Sequence, residues 1–300
     1  MQFIVSHFKG RVDYYALLNE PNIGQGTQQY VESIDYIRLV RRTVPVIRQA
    51  DPEARIIIGE VTPLIRADSI RYLFDVLGSD VLPLVDGISW HAAGWASPEF
   101  KAEEYYYYPS LLHEIKDMAA AHGFGGEFWA TEMHWRTAES PHPSEYDEYS
   151  GKAAAKYLAR GIVMHLGMSI TSGLAENLEH VDKMPVIQNL CTLMAGAEAV
   201  ELPLGIESEA ALQTNFCFAL SNGDWLIAIW SDGVAVEQDP GVPATLTVAG
   251  VAAQEVVGID VLHGVAQPMM ATVEEGNLVM PNVLVKDYPI ILRIVGPSSP

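Results

Sequence analysis

Short apolar runs alternate with longer amphipathic segments from the N-terminus to about residue 196. Each short run is mostly apolar on both faces, as strands buried in a parallel sheet are. The alternation of such strands with helices is typical of βα units and predicts a parallel sheet. The five predicted strands of this part cover residues 14–18, 55–59, 87–91, 127–131 and 169–175.

The segments between these strands repeat apolar residues at three- and four-residue steps, which predicts amphipathic helices. In the clearest of them the repeat runs from Val31 to Ile47, and Asp51-Pro52 ends it. We expect Pro45 to kink this helix. The run Tyr105-Tyr106-Tyr107-Tyr108 is predicted as a partly exposed loop. Four more helices are predicted near residues 69–77, 110–121, 150–166 and 185–195.

Alternating strands replace this pattern after about Val200. Ser221-Asn222-Gly223-Asp224 joins the first two of them, and Asn-Gly tolerates the positive φ values of a type I′ hairpin turn. We therefore predict two domains, residues 1–198 and 199–300, the second an antiparallel β-sandwich. Its predicted strands cover residues 215–220, 225–230, 244–248, 254–259, 265–270 and 290–295.

Composition narrows the range of partners. The chain has 18 Lys and Arg against 38 Asp and Glu, a formal net charge of −20. Such a field repels nucleic acid and anionic membrane surfaces, although solubility alone also explains it. No apolar stretch reaches the roughly 20 residues that span a bilayer, so we expect a soluble protein, cytoplasmic or secreted. Cys191 and Cys217 imply no disulfide framework, and we expect two buried free thiols.

Two glutamates directly follow predicted strands. Glu20 lies in Leu18-Asn19-Glu20-Pro21-Asn22 after the first strand, and Glu132 lies in Thr131-Glu132-Met133-His134-Trp135 after the fourth. In a barrel of parallel strands the carboxyl ends share one rim, where active sites are built. Glycoside hydrolysis needs two carboxyl groups there, one to protonate the leaving oxygen and one to attack the anomeric carbon. The pair therefore predicts a glycosidase.

The surroundings of the two glutamates favour different roles. Glu20 follows a strand lined by Tyr and Leu and lies near the negative charge of Glu132, which favours a protonated carboxyl and the acid/base role. His134, Trp135 and nearby tyrosines can donate hydrogen bonds that keep Glu132 ionised. An ionised carboxylate is what a nucleophile requires, so we assign that role to Glu132.

The motif order resembles clan A of the glycoside hydrolases, with Asn19-Glu20-Pro21 after one strand and Thr-Glu-x-x-Trp three strands later. Members of that clan are (β/α)8 barrels with the acid/base glutamate after strand four and the nucleophile after strand seven. The resemblance implies an α/β fold, a partial (β/α)8 TIM barrel of strands four to eight followed by an antiparallel β-sandwich domain. It also implies a retaining hydrolase that cleaves O-glycosidic bonds of a polysaccharide or oligosaccharide by double displacement. Residues 51–59 and the closing Pro289-Ile290-Ile291-Leu292 look like the families related to family 39, which act on xylosides, iduronides or exopolysaccharides.

Further contacts are implied by the same resemblance. Asn19 matches the position that hydrogen-bonds the sugar 2-hydroxyl, and His91 matches an aromatic or His position near the nucleophile. One tyrosine of the run, for which we take Tyr107, would set its phenol against the nucleophile. The other implied substrate contacts are Trp95 and Trp135 as stacking platforms, His134 beside the nucleophile, and Glu176 and Asn177 after strand eight.

Alternative explanations exist for several of these features. The segment from Met1 to Val12 reads as a helix end and a loop, so strands one to three are not found; we expect a fragment of a longer glycosidase, or a partner chain that completes the barrel. A non-catalytic carbohydrate-binding protein is the rival hypothesis. Asn-Glu-Pro alone is also typical of a strand end and turn, and His91 is equally consistent with a satisfied rim histidine. We predict no cofactor and no metal site, because the spacing of His134 and His142 fits no zinc pattern.

Overall fold

The computed structural model describes residues 1–92, 96–137, 148–175, 181–251 and 253–296. Contacts between backbone positions divide the chain into two compact units. The first, here called the barrel unit, comprises Met1–Met133 and Ile170–Ala175. The second, the sandwich unit, comprises His134–Ser169 and Glu176–Pro300. These contacts group the chain differently from the predicted domains, which meet at 198/199. That domain boundary stays a prediction.

The barrel unit is built on a five-stranded parallel sheet with the strand order β1-β2-β3-β4-β5. Every neighbour in this sheet is also the next strand along the chain, which is the order of consecutive βα units. All five strands were expected from the sequence, and only their ends differ. Their bounds are β1 Tyr14–Ala16, β2 Arg55–Val61, β3 Gly87–His91, β4 Glu127–Glu132 and β5 Thr171–Ser172.

Four helices accompany this sheet, and their apolar faces explain where they form. In α2 the residues Tyr36, Val40, Val44 and Ile47 are buried at the three- and four-residue steps of one helix face. The predicted loop of four tyrosines is wrong, because α4 begins before it and continues through Pro109. The bounds are α1 Gln2–Phe8, α2 Ser33–Ala50, α3 Ala67–Leu77 and α4 Ala102–Ala121, with a short 3-10 helix at Leu82–Leu84.

The two faces of the parallel sheet differ in character. One face carries branched and aromatic side chains, of which Ile56, Ile88 and Trp90 are fully buried. On the other face, at the start of the strands, Arg55 forms an ion pair with Glu127 at 2.6 Å, and the Tyr14 hydroxyl donates to the same carboxylate. Side chains alternate between the two faces along each strand, so residues of neighbouring strands share this polar face. At the carboxyl ends of the strands they lie together at one edge of the sheet. The candidate site is built there.

The sandwich unit contains two helices and two antiparallel sheets. The larger sheet has the order β12-β11-β15-β9-β8-β6, and the smaller has the order β13-β14-β10-β7. The helices are α5 Gly151–Gly167 and α6 Lys183–Leu193. The strands are β6 Glu198–Val200, β7 Leu204–Ser208, β8 Gln213–Ala219, β9 Trp225–Ser231, β10 Val242–Ala249, β11 Glu255–Asp260, β12 Val265–Pro268, β13 Thr272–Glu274, β14 Asn277–Val285 and β15 Ile290–Val295.

Alternating side chains of the two sheets form one core, as expected for a sandwich. The hairpin between β8 and β9 is present, but its turn is not type I′, because only Gly223 has a positive φ, at 89°. Asn222 stays at negative φ and its side-chain oxygen accepts a hydrogen bond from the Asp224 backbone at 3.1 Å. Cys217 is buried and free, whereas Cys191 is free but exposed, so the prediction of two buried thiols is wrong for Cys191.

Across the part of the chain that the structure describes, no helix combines the length and the apolar character needed to cross a membrane.

Candidate active site

Four ionisable side chains meet at the carboxyl ends of the parallel strands. Glu20 follows β1, Glu60 lies near the end of β2, His91 ends β3 and Glu132 ends β4. Parallel neighbouring strands bring their carboxyl ends to the same edge, and this is the edge on which barrel enzymes build their active sites. The two glutamates predicted from sequence are thus brought to one cluster, together with a third that was not predicted.

His91 lies at the centre of this cluster and is only 2% exposed. Its Nδ1 atom is 3.0 Å from the Glu20 Oε1 atom, which is hydrogen-bond distance. Its Nε2 atom is 3.5 Å from Glu132 Oε1 and 3.6 Å from Glu60 Oε2. One imidazole ring therefore contacts Glu20 through one nitrogen and the two other carboxylates through the second. His91 thus lies next to Glu132, and its predicted part in the site stays a prediction.

The charge of His91 follows from these neighbours. Burial disfavours the charged ring, but the contacts with Glu20 and Glu60 and the negative charge of Glu132 outweigh it and raise the pKa of His91 to about 9. The ring is therefore an imidazolium at neutral pH, and both nitrogens carry a proton. At 3.5 and 3.6 Å the contacts of Nε2 are ion pairs longer than ordinary hydrogen bonds.

Glu60 is the most buried carboxylate of the cluster, at 6% exposed. Its Oε1 atom accepts a hydrogen bond from the Ser89 hydroxyl at 2.9 Å, and its Oε2 atom accepts one from the Thr131 hydroxyl at 3.0 Å. Burial favours the neutral acid, but the ion pair with His91 and the hydrogen bonds from Ser89 and Thr131 outweigh it and lower the pKa of Glu60. Glu60 is therefore an ionised group inside the protein.

The backbone at these strand ends adopts conformations that L-residues rarely take. Glu20 and Glu60 both have a φ of 46°, and Leu18 has a φ of 66°. Gly59, at φ 110°, leaves no room for a side chain, because an added Cβ would lie 2.1 Å from the Ser89 carbonyl oxygen. A side chain at positive φ costs on the order of 1 kcal/mol, and such strain concentrates at functional sites.

Hydrogen bonds from the framework hold these strained segments. The Glu20 amide donates to the Glu60 carbonyl at 2.8 Å, which ties the end of β1 to the end of β2. Beneath them, the Tyr36 hydroxyl donates to the Leu17 carbonyl and accepts from the Gly59 amide, both at 2.9 Å. The Asn22 side chain, which is 5% exposed, donates to the Thr62 hydroxyl and accepts from the Thr62 backbone amide.

The other predicted site residues have varied positions. Asn19 is exposed beside Glu20. Tyr107 lies on α4, where its hydroxyl donates to Glu114 at 3.0 Å, and it is not brought to the cluster. His134, which is half-buried, and Trp135 belong to the sandwich unit. Trp95, Glu176 and Asn177 lie outside the described residues.

Trp135 was predicted as a stacking platform for a sugar. Its side chain is 5% exposed, and its ring stacks on that of Tyr157 with centroids 6.0 Å apart. Its carbonyl oxygen accepts a hydrogen bond from the buried Lys183 ammonium at 2.6 Å. Since a sugar needs an open aromatic face, this environment is that of a core residue. Of the tyrosine run, Tyr108 is also a core residue, with its hydroxyl accepting from the Trp90 indole at 3.0 Å.

Glu60 was missed in the sequence because the predicted second strand stopped at Gly59. A signal for it existed: Glu60 is the first polar residue after the run Ile56-Ile57-Ile58-Gly59, at the same carboxyl edge as Glu20 and Glu132. Its inward direction depends on the irregular backbone at residues 59 and 60, where the register with β3 shifts. That irregularity has no obvious sequence pattern beyond the glycine.

Similar solved structures cover nearly the whole chain. A family 39 glycoside hydrolase from the gut symbiont Bacteroides cellulosilyticus WH2 matches 98% of this chain, with 17% identity and a TM-score of 0.61. Cel44A, a family 44 endoglucanase from Clostridium thermocellum, matches 98%, with 11% identity and a TM-score of 0.64. A family 51 α-L-arabinofuranosidase from Thermotoga petrophila RKU-1 matches 95%, with 11% identity and a TM-score of 0.58. No protein-family model and no curated protein matches the sequence.

The fold is that of the clan A glycoside hydrolases. The predicted fold class, an α/β unit of TIM-barrel strands with an antiparallel β-sandwich, is thereby confirmed. This chain spans 60% of the length of the family 39 protein, 70% of Cel44A and 66% of the arabinofuranosidase. Among the residues that the structure describes, no group of three or more His, Cys, Asp or Glu is arranged to hold a metal ion.

Proposed function

We propose that this protein is a retaining glycoside hydrolase in which Glu20 is the general acid/base and Glu132 is the nucleophile. The observation that carries the proposal is the His91 ring, whose two nitrogens contact the two carboxylates at 3.0 and 3.5 Å. Double displacement at an anomeric carbon requires two carboxyl groups at one site, and a single ring that contacts both supports that arrangement. The likeness of the fold to glycoside hydrolases of families 39, 44 and 51 supports the same reaction class.

The exposure of the two carboxylates supports their roles. The Glu132 side chain is 41% exposed, so that it can approach an anomeric carbon in the cleft. The Glu20 side chain is 22% exposed, and one of its oxygens is occupied by His91, which leaves the other to carry the proton. When Glu20 gives up that proton, the adjacent imidazolium stabilises the carboxylate that forms.

The reaction then proceeds in two steps. In the first, Glu20 gives its proton to the glycosidic oxygen, a Glu132 oxygen bonds to the anomeric carbon, and the bond from that carbon to the leaving oxygen breaks. In the second, a water molecule loses a proton to the Glu20 carboxylate as its oxygen bonds to the same carbon, and the ester bond to Glu132 breaks. Glu20 returns to its protonated form, and the anomeric configuration is retained.

A neutral carbohydrate is the substrate class that fits the charges. The cluster sets three glutamates against one imidazolium, and the whole chain carries a net charge of −20. A uronic acid or sulfated sugar would meet repulsion at the reacting centre and across the surrounding surface. We therefore propose neutral polysaccharides or oligosaccharides, linked through O-glycosidic bonds, as the substrates.

Aryl glycosides of neutral pentoses and hexoses, together with soluble β-glucans and xylans, provide the test. We expect hydrolysis of at least one of them, with a product that NMR shows to have the same anomeric configuration as the substrate. Glu132→Gly should abolish turnover and regain it with azide as a substitute nucleophile, giving a glycosyl azide of inverted configuration. Glu20→Ala should lose most activity on substrates with poor leaving groups and least on activated aryl glycosides.

Two results would count against this assignment. Hydrolysis with inversion would remove the covalent step and the nucleophile role of Glu132. Binding of an oligosaccharide without any hydrolysis would favour the alternative, a non-catalytic carbohydrate-binding protein.

A further inference from the structure

We propose that Glu60 is a positioning residue of this site, whose buried carboxylate fixes the His91 ring between the acid/base and the nucleophile. This inference rests on the proposed function, because it assigns Glu60 a part in that reaction. Glu60 does not itself contact substrate. It acts through His91, which touches both of the reacting carboxylates.

The burial of Glu60 supports an indirect role. At 6% exposed, with Oε1 held by Ser89 and Oε2 held by Thr131, its carboxylate cannot turn toward a ligand in the cleft. Its Oε2 atom lies 3.6 Å from His91 Nε2. A fixed negative charge at that distance holds the proton on Nε2, and with it the orientation of the ring.

The surroundings of His91 show why a third carboxylate matters. Three carboxyl groups face the ring: Glu20 from the end of β1, Glu60 from β2 and Glu132 from β4. The Nε2 atom is buried, and no acceptor among the described residues lies within hydrogen-bond distance of it. The proton on Nε2 therefore points between Glu60 and Glu132 and forms no short hydrogen bond with either. The negative charge of Glu60 offsets the attraction between the His91 ring and Glu132. The Glu132 carboxylate is thereby left free to attack.

The local backbone geometry places the Glu60 side chain in this position. The preceding Gly59 allows β2 to approach the Ser89 carbonyl, where a Cβ would lie 2.1 Å from the oxygen. Glu60 then takes a φ of 46°, and its amide donates to the Ser89 hydroxyl at 3.1 Å. Because its carbonyl accepts from the Glu20 amide, Glu60 supports the acid/base through the main chain as well. A side-chain substitution such as Glu60→Gln removes the carboxylate and retains the main-chain hydrogen bond to Glu20, so it separates the two contributions.

The direct test is an NMR titration of His91 in the protein labelled with ¹⁵N-histidine, with the resonance identified by comparison with His91→Gln. The pKa of His91 is about 9 in the native protein. In Glu60→Gln, loss of one facing charge should lower the titration midpoint of His91 by about one unit. In Glu60→Asp, which retains a charge on a shorter side chain, the midpoint should fall by less. Glu127→Gln is the matched control, because it removes a carboxylate from the other end of the sheet, and it should leave the midpoint unchanged.

The kinetic test separates positioning from binding. Glu60→Gln should lower kcat about 10- to 100-fold with little change in KM, and should shift the alkaline limb of the kcat/KM profile to lower pH. Glu60→Asp should recover part of the kcat, and Glu127→Gln should resemble the native enzyme.

An unchanged His91 midpoint in both Glu60 variants would overturn the inference, as would native kcat and pH dependence in Glu60→Gln. The titration needs no turnover, so it distinguishes this failure from that of the proposed function. If the native protein hydrolyses nothing while the midpoint shifts as expected, the hydrolase proposal fails and the coupling of Glu60 to His91 stands.

Discussion

The sandwich unit buries Lys156 beside Asp287, and the barrel unit buries His91 among three glutamates. In the sandwich unit, the Lys156 ammonium donates to both Asp287 carboxylate oxygens, at 2.7 and 3.0 Å, and to the Val236 carbonyl at 2.5 Å. The Asp287 carbonyl accepts two hydrogen bonds from the Arg160 guanidinium. One carboxylate faces one ammonium, and all three ammonium hydrogens have acceptors.

The cluster of the barrel unit lacks this balance. Three glutamates share one imidazolium, and the buried Nε2 atom of His91 has its two neighbours at 3.5 and 3.6 Å, beyond hydrogen-bond length. Glu20 and Glu60 also hold positive φ values. Each of these features costs stability, by like-charge repulsion, by an unsatisfied donor or by backbone strain.

The difference separates a structural cluster from a functional one. In a buried ion pair with every polar atom satisfied, the attraction offsets the cost of burying the charges, and removing one partner is strongly destabilising. A cluster with unsatisfied groups and strain stabilises the fold less than a fully satisfied one, and it persists where the arrangement serves chemistry. The predictions below test this contrast through changes in activity and in unfolding free energy.

The largest expected effect is on catalysis. Glu132→Gln should reduce kcat/KM at least about 10³-fold, which corresponds to roughly 4 kcal/mol of transition-state stabilisation. The free energy of unfolding should stay within about 1 kcal/mol of the native value, because the change relieves repulsion in the cluster. Steady-state kinetics and urea denaturation measure the two quantities. A large loss of stability would show that the cluster is structural and break the contrast.

The next effect is on stability alone. Lys156→Met should destabilise the protein by about 3 to 5 kcal/mol, because it leaves the buried Asp287 carboxylate without its cation. Urea denaturation checks this value. Lys156→Met combined with Asp287→Leu should recover a substantial part of the loss, since a buried pair replaced by apolar residues is tolerated far better than a broken one. If the single variant unfolds as the native protein does, the sandwich cluster is not a structural pair.

His91 gives the barrel cluster a distinct pH dependence. Its folded pKa of about 9 lies above the ordinary value of 6.5, so its contribution to stability is full below about pH 6.5 and is lost as pH rises toward 9. The contribution amounts to about 3 kcal/mol. The free energy of unfolding of the native protein should therefore fall between pH 6.5 and 9 more steeply than that of His91→Gln. Parallel curves for the two proteins would contradict a charged His91.

The parallel strands and the placement of Glu20 and Glu132 at one edge could be predicted because simple local patterns define them. Apolar runs predict buried strands, and the carboxyl ends of such strands share an edge whatever the details of packing. The third glutamate could not be found in this way. Its inward direction depends on positive φ at Glu60 and on the close approach of Gly59 to Ser89, which are properties of the folded backbone.

Strand β14 shows the same limit in the sandwich. It was missed because Pro281 and Asn282 interrupt the alternation, so that Leu278 and Met280 are buried before them and Val283 and Val285 after them. Asn282 has a φ of 59°, and a register shift opposite, between Ala244 and Leu246, accommodates the irregularity.

The tyrosine run was predicted as a partly exposed loop, and two local features disfavour a helix there: Pro109 follows the run, and aromatic residues have modest helix propensity. Burial of one face overrides both effects. Tyr108, Leu111, Leu112 and Ile115 recur at helical spacing and are buried, which explains why α4 includes the run.

The smallest expected effect comes from an ion pair that is not buried at all. Arg38 donates to Asp35 at 2.8 Å in the first turns of α2, and the two side chains are 60% and 57% exposed. Arg38→Gln should change the free energy of unfolding by less than about 0.5 kcal/mol, since solvent screens the attraction and ordering two long side chains offsets it. Urea denaturation at low and high salt checks this, and the difference between the two proteins should vanish at about 1 M salt. Asp35→Asn is the matched control and should behave alike. A loss of unfolding free energy above about 1 kcal/mol would mean that the distance between two charges, and not their burial with satisfied partners, determines how much the pair stabilises this protein. The contrast between the two clusters would then lose its physical basis.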